Sequence, residues 1–247
     1  MSEIHDDPAR QMRAISRRSF LWAAAAVVGA WGAIRWIASR RTERGLVWPL
    51  RRALDATDAF GQDFYEPARL APTFDASRIN AKPRVNGEEG QPEERAKDFE
   101  LIVEGMAGDE PRTLRLKDIQ ALPKVEMITE LHCIEGWTQT VRWGGAWFSD
   151  FVKAYPPDGA PDYVAMETAD GVYFVGLDMG SAMHPQTLLC YEMNGAPLEF
   201  EHGAPLRLVI PVKYGIKNIK WLGRIRYADE RPKDFWAEEG YDWFAGL

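Results

Sequence analysis

Apolar positions fall into three regimes along the chain. From Phe20 to Ile34 nearly every position is apolar, rich in Ala, Val and Trp, with no polar face. From Leu46 to Phe60 apolar residues return at helical spacing, which predicts a helix with one buried side. Residues 61–98 keep no period: prolines stand at 67, 72, 83 and 92, and Asn86-Gly87 marks a turn. The aromatics Phe64, Tyr65 and Phe74 in that stretch predict a segment that wraps a folded body. From Phe99 onward the pattern is one of short strands and short helices. Strands are expected at Phe99–Val103, Arg112–Leu116 and Val125–His132, and helices at Leu116–Leu122, stopped by Pro123, and Phe148–Tyr155. A hairpin is expected from Tyr163–Thr168 and Val172–Gly176 across Ala169-Asp170-Gly171. Further strands follow at Leu188–Met193, Leu206–Ile210 and Leu222–Tyr227, with a turn at Asn194-Gly195. This alternation predicts an α+β fold in one domain. The expected divisions are 1–45 as a leader or anchor, 46–98 as a helix and wrapping segment, and 99–247 as the catalytic body.

Composition narrows the picture. A chain of 247 residues with 46% hydrophobic residues is globular and can bury one sizeable core. Its net charge of −7 is uneven: residues 1–52 carry +6 and the remainder −13. A body that acidic lacks the clustered cations that phosphate neutralisation needs, so nucleic acid is not an expected partner. No Walker loop, G-x-G-x-x-G or internal repeat is present. The positive end contains Arg17-Arg18 just ahead of the apolar run, which resembles a twin-arginine export signal and implies a periplasmic protein. An amphipathic or buried helix flanked by Arg is the plainer alternative, opposed by the missing polar face. Fifteen residues fall short of the roughly twenty that span a bilayer. Continuing through Trp36, Ile37 and Ala38 lengthens the run but takes in Arg35, which can snorkel. No small-x-small cleavage site follows, leaving both an uncleaved anchor and a removed leader open. A bridge between the two cysteines, Cys133 and Cys190, would add little to a chain with this much core.

Two segments carry candidate chemistry. In Leu131-His132-Cys133-Ile134-Glu135-Gly136-Trp137 a thiol sits at the end of a predicted strand, beside a carboxylate, a glycine and an aromatic ring. A soft thiolate suits a redox metal, whereas an ordinary buried cysteine would be inert. The second segment runs from His202 to Trp221. Arg207 can grip an anion in a fork and Lys220 can meet it as a point charge. Lys213-Tyr214-Gly215 and Lys217-Asn218 form a loop whose backbone N–H groups could approach an anion. A solvated basic loop is the alternative, but it leaves the tight punctuation by Pro211 and Gly215 unexplained.

Together these segments resemble the molybdenum-pterin domain of the sulfite oxidase family. The run Leu188-Leu189-Cys190-Tyr191-Glu192-Met193-Asn194-Gly195-Ala196-Pro197-Leu198 resembles a further signature of that family. The resemblance extends from about Tyr65 to Tyr227 and implies a Mo-molybdopterin cofactor. It makes Cys133 the metal ligand. Thr168, His202, Arg207, Asn218, Ile219 and Lys220 match positions at the pterin or its phosphate, and Tyr65 and Glu66 match an early contact segment. Within the family, Cys-x-Glu-x-Trp resembles the bacterial periplasmic protein-methionine-sulfoxide reductase catalytic subunits. No arginine follows Cys133 until Arg142, and Glu135 would repel sulfite or nitrate. Glu135 is the candidate for tuning the metal or relaying a proton. The resemblance further implies a monomer without the family's immunoglobulin-like dimerisation domain, a sulfoxide-type small molecule or methionine sulfoxide as substrate, and a membrane haem subunit as electron donor. Arg78–Gly90 and Asp229–Leu247 are not part of that branch's pattern. Two alternatives stand beside it: a sibling acting on another oxyanion or an N-oxide, and a non-catalytic periplasmic module, which would have no reason to keep Cys133.

Overall fold

The computed structural model describes residues 8–43, 45–64, 66, 69–93, 98–108 and 110–247, with side chains from residue 16 onward. The chain divides into two compact units, 1–53 and 54–247.

In the first unit a helix α1 (Pro8–Ala38) outruns the fifteen-residue apolar stretch that announces it. Its segment Ser16–Ala38 is 23 residues long and, by length and composition, able to cross a membrane. That length is about 35 Å of helix, against about 30 Å of hydrocarbon. Arg35 lies inside α1, its guanidinium 5.8 Å from the Trp31 ring, so the cation is carried on an aromatic face near the helix end. Two short strands, β1 (Thr42–Glu43) and β2 (Leu46–Val47), pair antiparallel after it. Helix α2 (Trp48–Asp63) follows, with Pro49 near its start, where a missing N–H costs nothing.

The second unit holds the rest of α2 and two five-stranded sheets. Its elements in chain order are β3 (Leu101–Glu104), β4 (Arg112–Leu114), α3 (Leu116–Gln120), β5 (Lys124–His132), β6 (Thr138–Trp147), α4 (Phe148–Ala154), β7 (Tyr163–Thr168) and β8 (Phe174–Asp178). After these come α5 (Met179–Ala182), β9 (Leu188–Met193), β10 (Ala196–Pro197), β11 (Arg207–Val209), β12 (Leu222–Ala228) and α6 (Phe235–Glu238). One sheet has the order β4-β3-β12-β7-β8, with β3 and β12 parallel. The other runs β10-β9-β6-β5, and β11 pairs with β9 on the edge away from β6. The main core joins them: Val103, Met166 and Ile225 from the first sheet share a cluster with Leu189 and Leu208 from the second, with Leu206 just before β11 and with Phe148 and Phe151 of α4. Strand β9 is buried on both faces. Leu189 and Tyr191 enter this core, while Leu188 and Cys190 enter a second cluster with Trp143 and Val209.

Strand β6, which carries Gly144-Gly145, is absent from the sequence expectation. The structure uses those glycines for close approach. A Cβ on Gly145 would lie 2.1 Å from the Leu189 carbonyl oxygen, and the register with β9 shifts between Gly144 and Gly145. Part of the segment 61–98 lies along the body, although Phe64 is exposed. Phe74 N–H donates to Ile128 O, Asn80 N–H donates to Thr140 O, and Asn80 Oδ1 accepts from Thr140 N–H, which lays the chain along β5 and β6.

Two lysines of the expected anion loop serve the fold instead. Lys217 Nζ bonds Asp234 at 2.5 Å and Gly176 O at 2.9 Å, and Lys213 Nζ donates to Phe244 O at 2.9 Å; both are buried. They fasten the C-terminal segment to the body. Burial brings the Lys213 amine down to about 6 from an ordinary 10.5. Between those values the unfolded chain binds a proton that the folded chain does not, so stability at this site rises with pH across that window. Lys213→Met removes the titration. Its melting temperature relative to wild type is expected to be greatest near pH 7 and to decline toward about pH 9; a pH-independent difference would contradict the buried neutral amine.

Candidate active site

Strand β5 ends at His132, and a tight turn returns the chain into β6. Cys133 opens that turn: Gly136 N–H donates to Cys133 O at 3.0 Å, and Cys133 N–H donates to Trp137 O at 2.9 Å. Gly136 takes φ +86°, a conformation that disfavours a side chain. The loop after β11 closes against the turn, where a Cβ on Gly215 would stand 3.4 Å from His132 O. The Cys133 thiol is thereby held half-buried at a hairpin tip, facing a cavity of about 310 Å³.

The cavity also reaches a group of cations. Arg207 on β11 is buried and donates to His202 O and Asn218 O, both at 3.0 Å, with its guanidinium 5.1 Å from the Trp143 ring. No carboxylate pairs with it among the described residues, and burial brings it down to about 10. Lys220 Nζ donates to Asn86 O, Gly87 O and Glu201 O. Burial, and then Arg207 nearby, bring it down to about 7. His202 is held below its ordinary value by burial and by Arg207. Three groups able to carry positive charge thus meet one cavity. A bound anion would favour the charged form of each and repay their desolvation.

Of the residues expected from sequence, Cys133, Glu135, His202, Arg207, Asn218, Ile219 and Lys220 all line this cavity. The Asn218 side chain is spent on the loop itself, its Oδ1 accepting from Ile210 N–H and its amide donating to Tyr214 O. Thr168 stands outside the cavity lining, its hydroxyl donating to Asp170 at 2.6 Å and accepting from Tyr173 N–H. Glu66 lines a separate cavity of about 250 Å³ with His132, Val212 and Leu247. Tyr65 lies outside the described residues.

Sequence reading missed Arg84, Asn86, Trp236 and Tyr241, which also line the cavity. Arg84 stands 3.7 Å from Glu135 and 5.0 Å from the Trp137 ring, and Asn86 Nδ2 is 3.7 Å from Cys133 Sγ. No arginine follows Cys133 along the chain until Arg142, but the wrapping segment brings Arg84 into the same cavity from elsewhere in the sequence. Asn86-Gly87 was visible as a turn, but nothing local ties it to a cysteine 47 residues away. Glu135 accepts from the Trp137 indole N–H at 2.9 Å. That bond, with smaller help from Asn86 and Arg84 and against some desolvation, holds its carboxyl below the ordinary value.

A family model described as the oxidoreductase molybdopterin binding domain matches residues 88–236. The chain belongs to that family. A relative from Azospira oryzae that bears the name of a protein-methionine-sulfoxide reductase subunit, YedZ1, is 34% identical over 185 residues, covering 74% of this chain and 70% of its own. The protein-methionine-sulfoxide reductase catalytic subunits MsrP of Xanthomonas campestris pv. campestris and Ralstonia nicotianae are 36% and 31% identical over 72% of this chain. The chain spans about half the length of those two relatives, 54% and 52%. Among solved structures, the sulfane dehydrogenase SoxCD of Paracoccus pantotrophus shares the fold at a TM-score of 0.50 and 20% identity, over 54% of this chain and 39% of that one. Arg84 and Asn86 precede the family match, and Tyr241 follows it.

Membership implies the Mo-molybdopterin cofactor, and the cavity suits one. Among the described residues no cluster of three or more His, Cys, Asp or Glu could hold a metal ion, so a metal beside Cys133 depends on ligands that a cofactor brings with it. Arg207, with no carboxylate partner among the described residues, would supply what its phosphate needs.

Because the indole N–H is the largest influence on Glu135, Trp137→Phe is expected to raise the Glu135 pKa, read by carboxyl NMR titration. An unchanged titration would mean that Arg84 and Asn86 hold the carboxylate by themselves.

Proposed function

We propose that this chain reduces a sulfoxide by oxygen-atom transfer, using Mo-molybdopterin held between Cys133 and the Arg207 cluster. One observation carries the reading: a single cavity presents a half-buried thiol and a buried guanidinium that has no carboxylate partner among the described residues. When bound, the cofactor would supply the oxygen-transfer chemistry, sulfoxide plus two electrons and two protons giving thioether and water. The residues do the rest. Cys133 Sγ would hold the metal, while Arg207, Lys220 and His202 would hold the phosphate. Asn86 Nδ2 would orient the thiolate by donating to its sulfur. Glu135, kept ionised at neutral pH, would fix Trp137 at the mouth and accept a proton in passing toward the water that leaves. The thioether product retains its apolar stem, which the rings of Trp137, Trp236 and Tyr241 can accommodate.

The names of the relatives support methionine sulfoxide as the substrate type, and their designation as catalytic subunits supports a separate electron-donating partner, for which a membrane haem subunit is the expected kind. A second reading has its own observation. With Arg84 inside the cavity, an oxyanion is no longer excluded for want of a guanidinium. An assay with a reduced viologen separates the two. Sulfoxide reduction well above any sulfite oxidation is expected, and sulfite turnover as fast as sulfoxide turnover would favour the oxyanion reading. In the same preparation Cys133→Ser is expected to lose molybdenum while its melting curve survives, since a hydroxyl is a poor soft ligand. Stoichiometric metal in that variant would remove Cys133 from the site.

We further propose twin-arginine export, with Ser16–Ala38 as leader or retained anchor. A pterin enzyme loaded in the cytoplasm must cross the membrane folded. Arg17→Lys combined with Arg18→Lys is expected to leave precursor in the cytoplasm on fractionation; normal periplasmic activity would rule the route out.

A further inference from the structure

The wrapping segment does more than cover β5 and β6, because it sets one charged side chain at the cavity mouth under close control. Gln139 on β6 is buried, and its side chain brackets Arg84: Oε1 accepts from Arg84 N–H at 2.6 Å, and Nε2 donates to Arg84 O at 3.5 Å. Two and three residues on, Lys220 grips Asn86 O and Gly87 O. Beyond them Gly90 at φ +73° packs where a Cβ would stand 2.6 Å from Thr168 Cγ2. The backbone of Arg84 is thus fixed by core groups, and its side chain lies over Trp137.

The guanidinium so placed has donors to spare. Among the described residues it makes no side-chain hydrogen bond, and its carboxylate neighbour Glu135 stands 3.7 Å away, with 58% of the Arg84 and 51% of the Glu135 side chain exposed. A half-exposed pair at that separation is weakly held. Glu135 is itself committed to the Trp137 indole, so Arg84 can turn its fork to a second acceptor without orphaning the first. The Cys133 end of the cavity is close at hand, since Asn86, two residues along the same segment, reaches Sγ.

From this geometry we infer that Arg84 is a specificity-determining residue that binds a carboxylate on the substrate. The favoured substrate is a sulfoxide whose short stem ends in a free carboxylate, as in methionine sulfoxide taken as an amino acid or as the last residue of a peptide. An internal residue of a protein chain, with both neighbours in amide linkage, lacks that group. This inference rests on the sulfoxide reading above. It concerns residues that the family match does not cover, so relatives without an arginine here need not share it.

The test compares N-acetylmethionine sulfoxide with its carboxamide on the molybdenum-loaded protein. The two differ only in the charged group. Wild type is expected to favour the carboxylate by about tenfold in kcat/KM, the size of one charge-assisted hydrogen bond at a partly exposed site. The preference should shrink as salt is raised. In Arg84→Ala the ratio is expected to fall to about one, and in Arg84→Lys to an intermediate value, because an ammonium keeps the charge but loses the fork. Melting curves check that the variants are folded, and the wild-type comparison needs no variant. Free methionine sulfoxide, whose ammonium Glu135 can meet, distinguishes a free amino acid from a chain terminus. Equal kcat/KM for acid and amide in wild type, or a preference for the amide, overturns the inference. Calorimetric binding of N-acetylmethionine and its amide gives a second readout. Should no sulfoxide be turned over, the sulfoxide reading fails, and tighter binding of the acid than the amide still decides the role of Arg84.

Discussion

A buried guanidinium organises this site. Arg207 is removed from water with no carboxylate among the described residues to neutralise it, and its N–H groups are satisfied by main-chain carbonyls of His202 and Asn218. An unpaired buried charge is costly, so those two segments must stay where their carbonyls can serve it. That requirement fixes the turn before β11 and the loop after it. The loop in turn presses Gly215 against the Cys133 turn, which places the thiol relative to the cations. Without an anion, Arg207 and Lys220 are both pulled toward their neutral forms by burial, which is an energetic invitation to a phosphate.

The C-terminal segment meets the same loop from the other side. Lys217 and Asp234 form a buried pair, and Lys213 is capped by the carbonyl of Phe244. Replacing such a pair with apolar residues often costs nothing, whereas deleting one partner strands a charge. Its value here lies in registry. It fixes the segment that contributes Trp236 and Tyr241 against the loop that contributes Lys220, so one wall of the cavity cannot shift without the other.

Most of the sheet strands could be read from alternation, and the two motif segments do meet in one cavity. Where the reading failed, the cause was long-range. Strand β6 went unassigned, and its Gly144-Gly145 is the point where it admits the backbone of β9, a partner far along the chain. Lys213 and Lys217 sit in the loop expected to meet an anion through its backbone, and acceptors at 244 and 234 claim their amines. Arg84 carries no local mark at all; its place is set by Gln139, a residue far along the chain. The shared feature is that a local pattern reports propensity, whereas the partner that decides a charged side chain's role is chosen by the tertiary fold.

That distinction bears on how the cavity's two ends relate. The end proposed to take the phosphate is built on the buried Arg207 and His202 and the half-buried Lys220, with Arg207 and Lys220 held by fixed carbonyl partners, so its geometry is stiff. The mouth is built from half-exposed groups, Arg84, Glu135 and Trp137, held by one ion pair and one indole bond. Interactions of that kind cost little to rearrange, and Arg84 comes from a segment before the family match. A substitution at the mouth leaves the stiff end intact, while a substitution of Arg207 disturbs the turn, the loop and the thiol together. The mouth can therefore change while the Arg207 cluster stays put, and the segment before residue 88 takes part in that change because it sets Arg84 beside Glu135 and Trp137 of the matched domain.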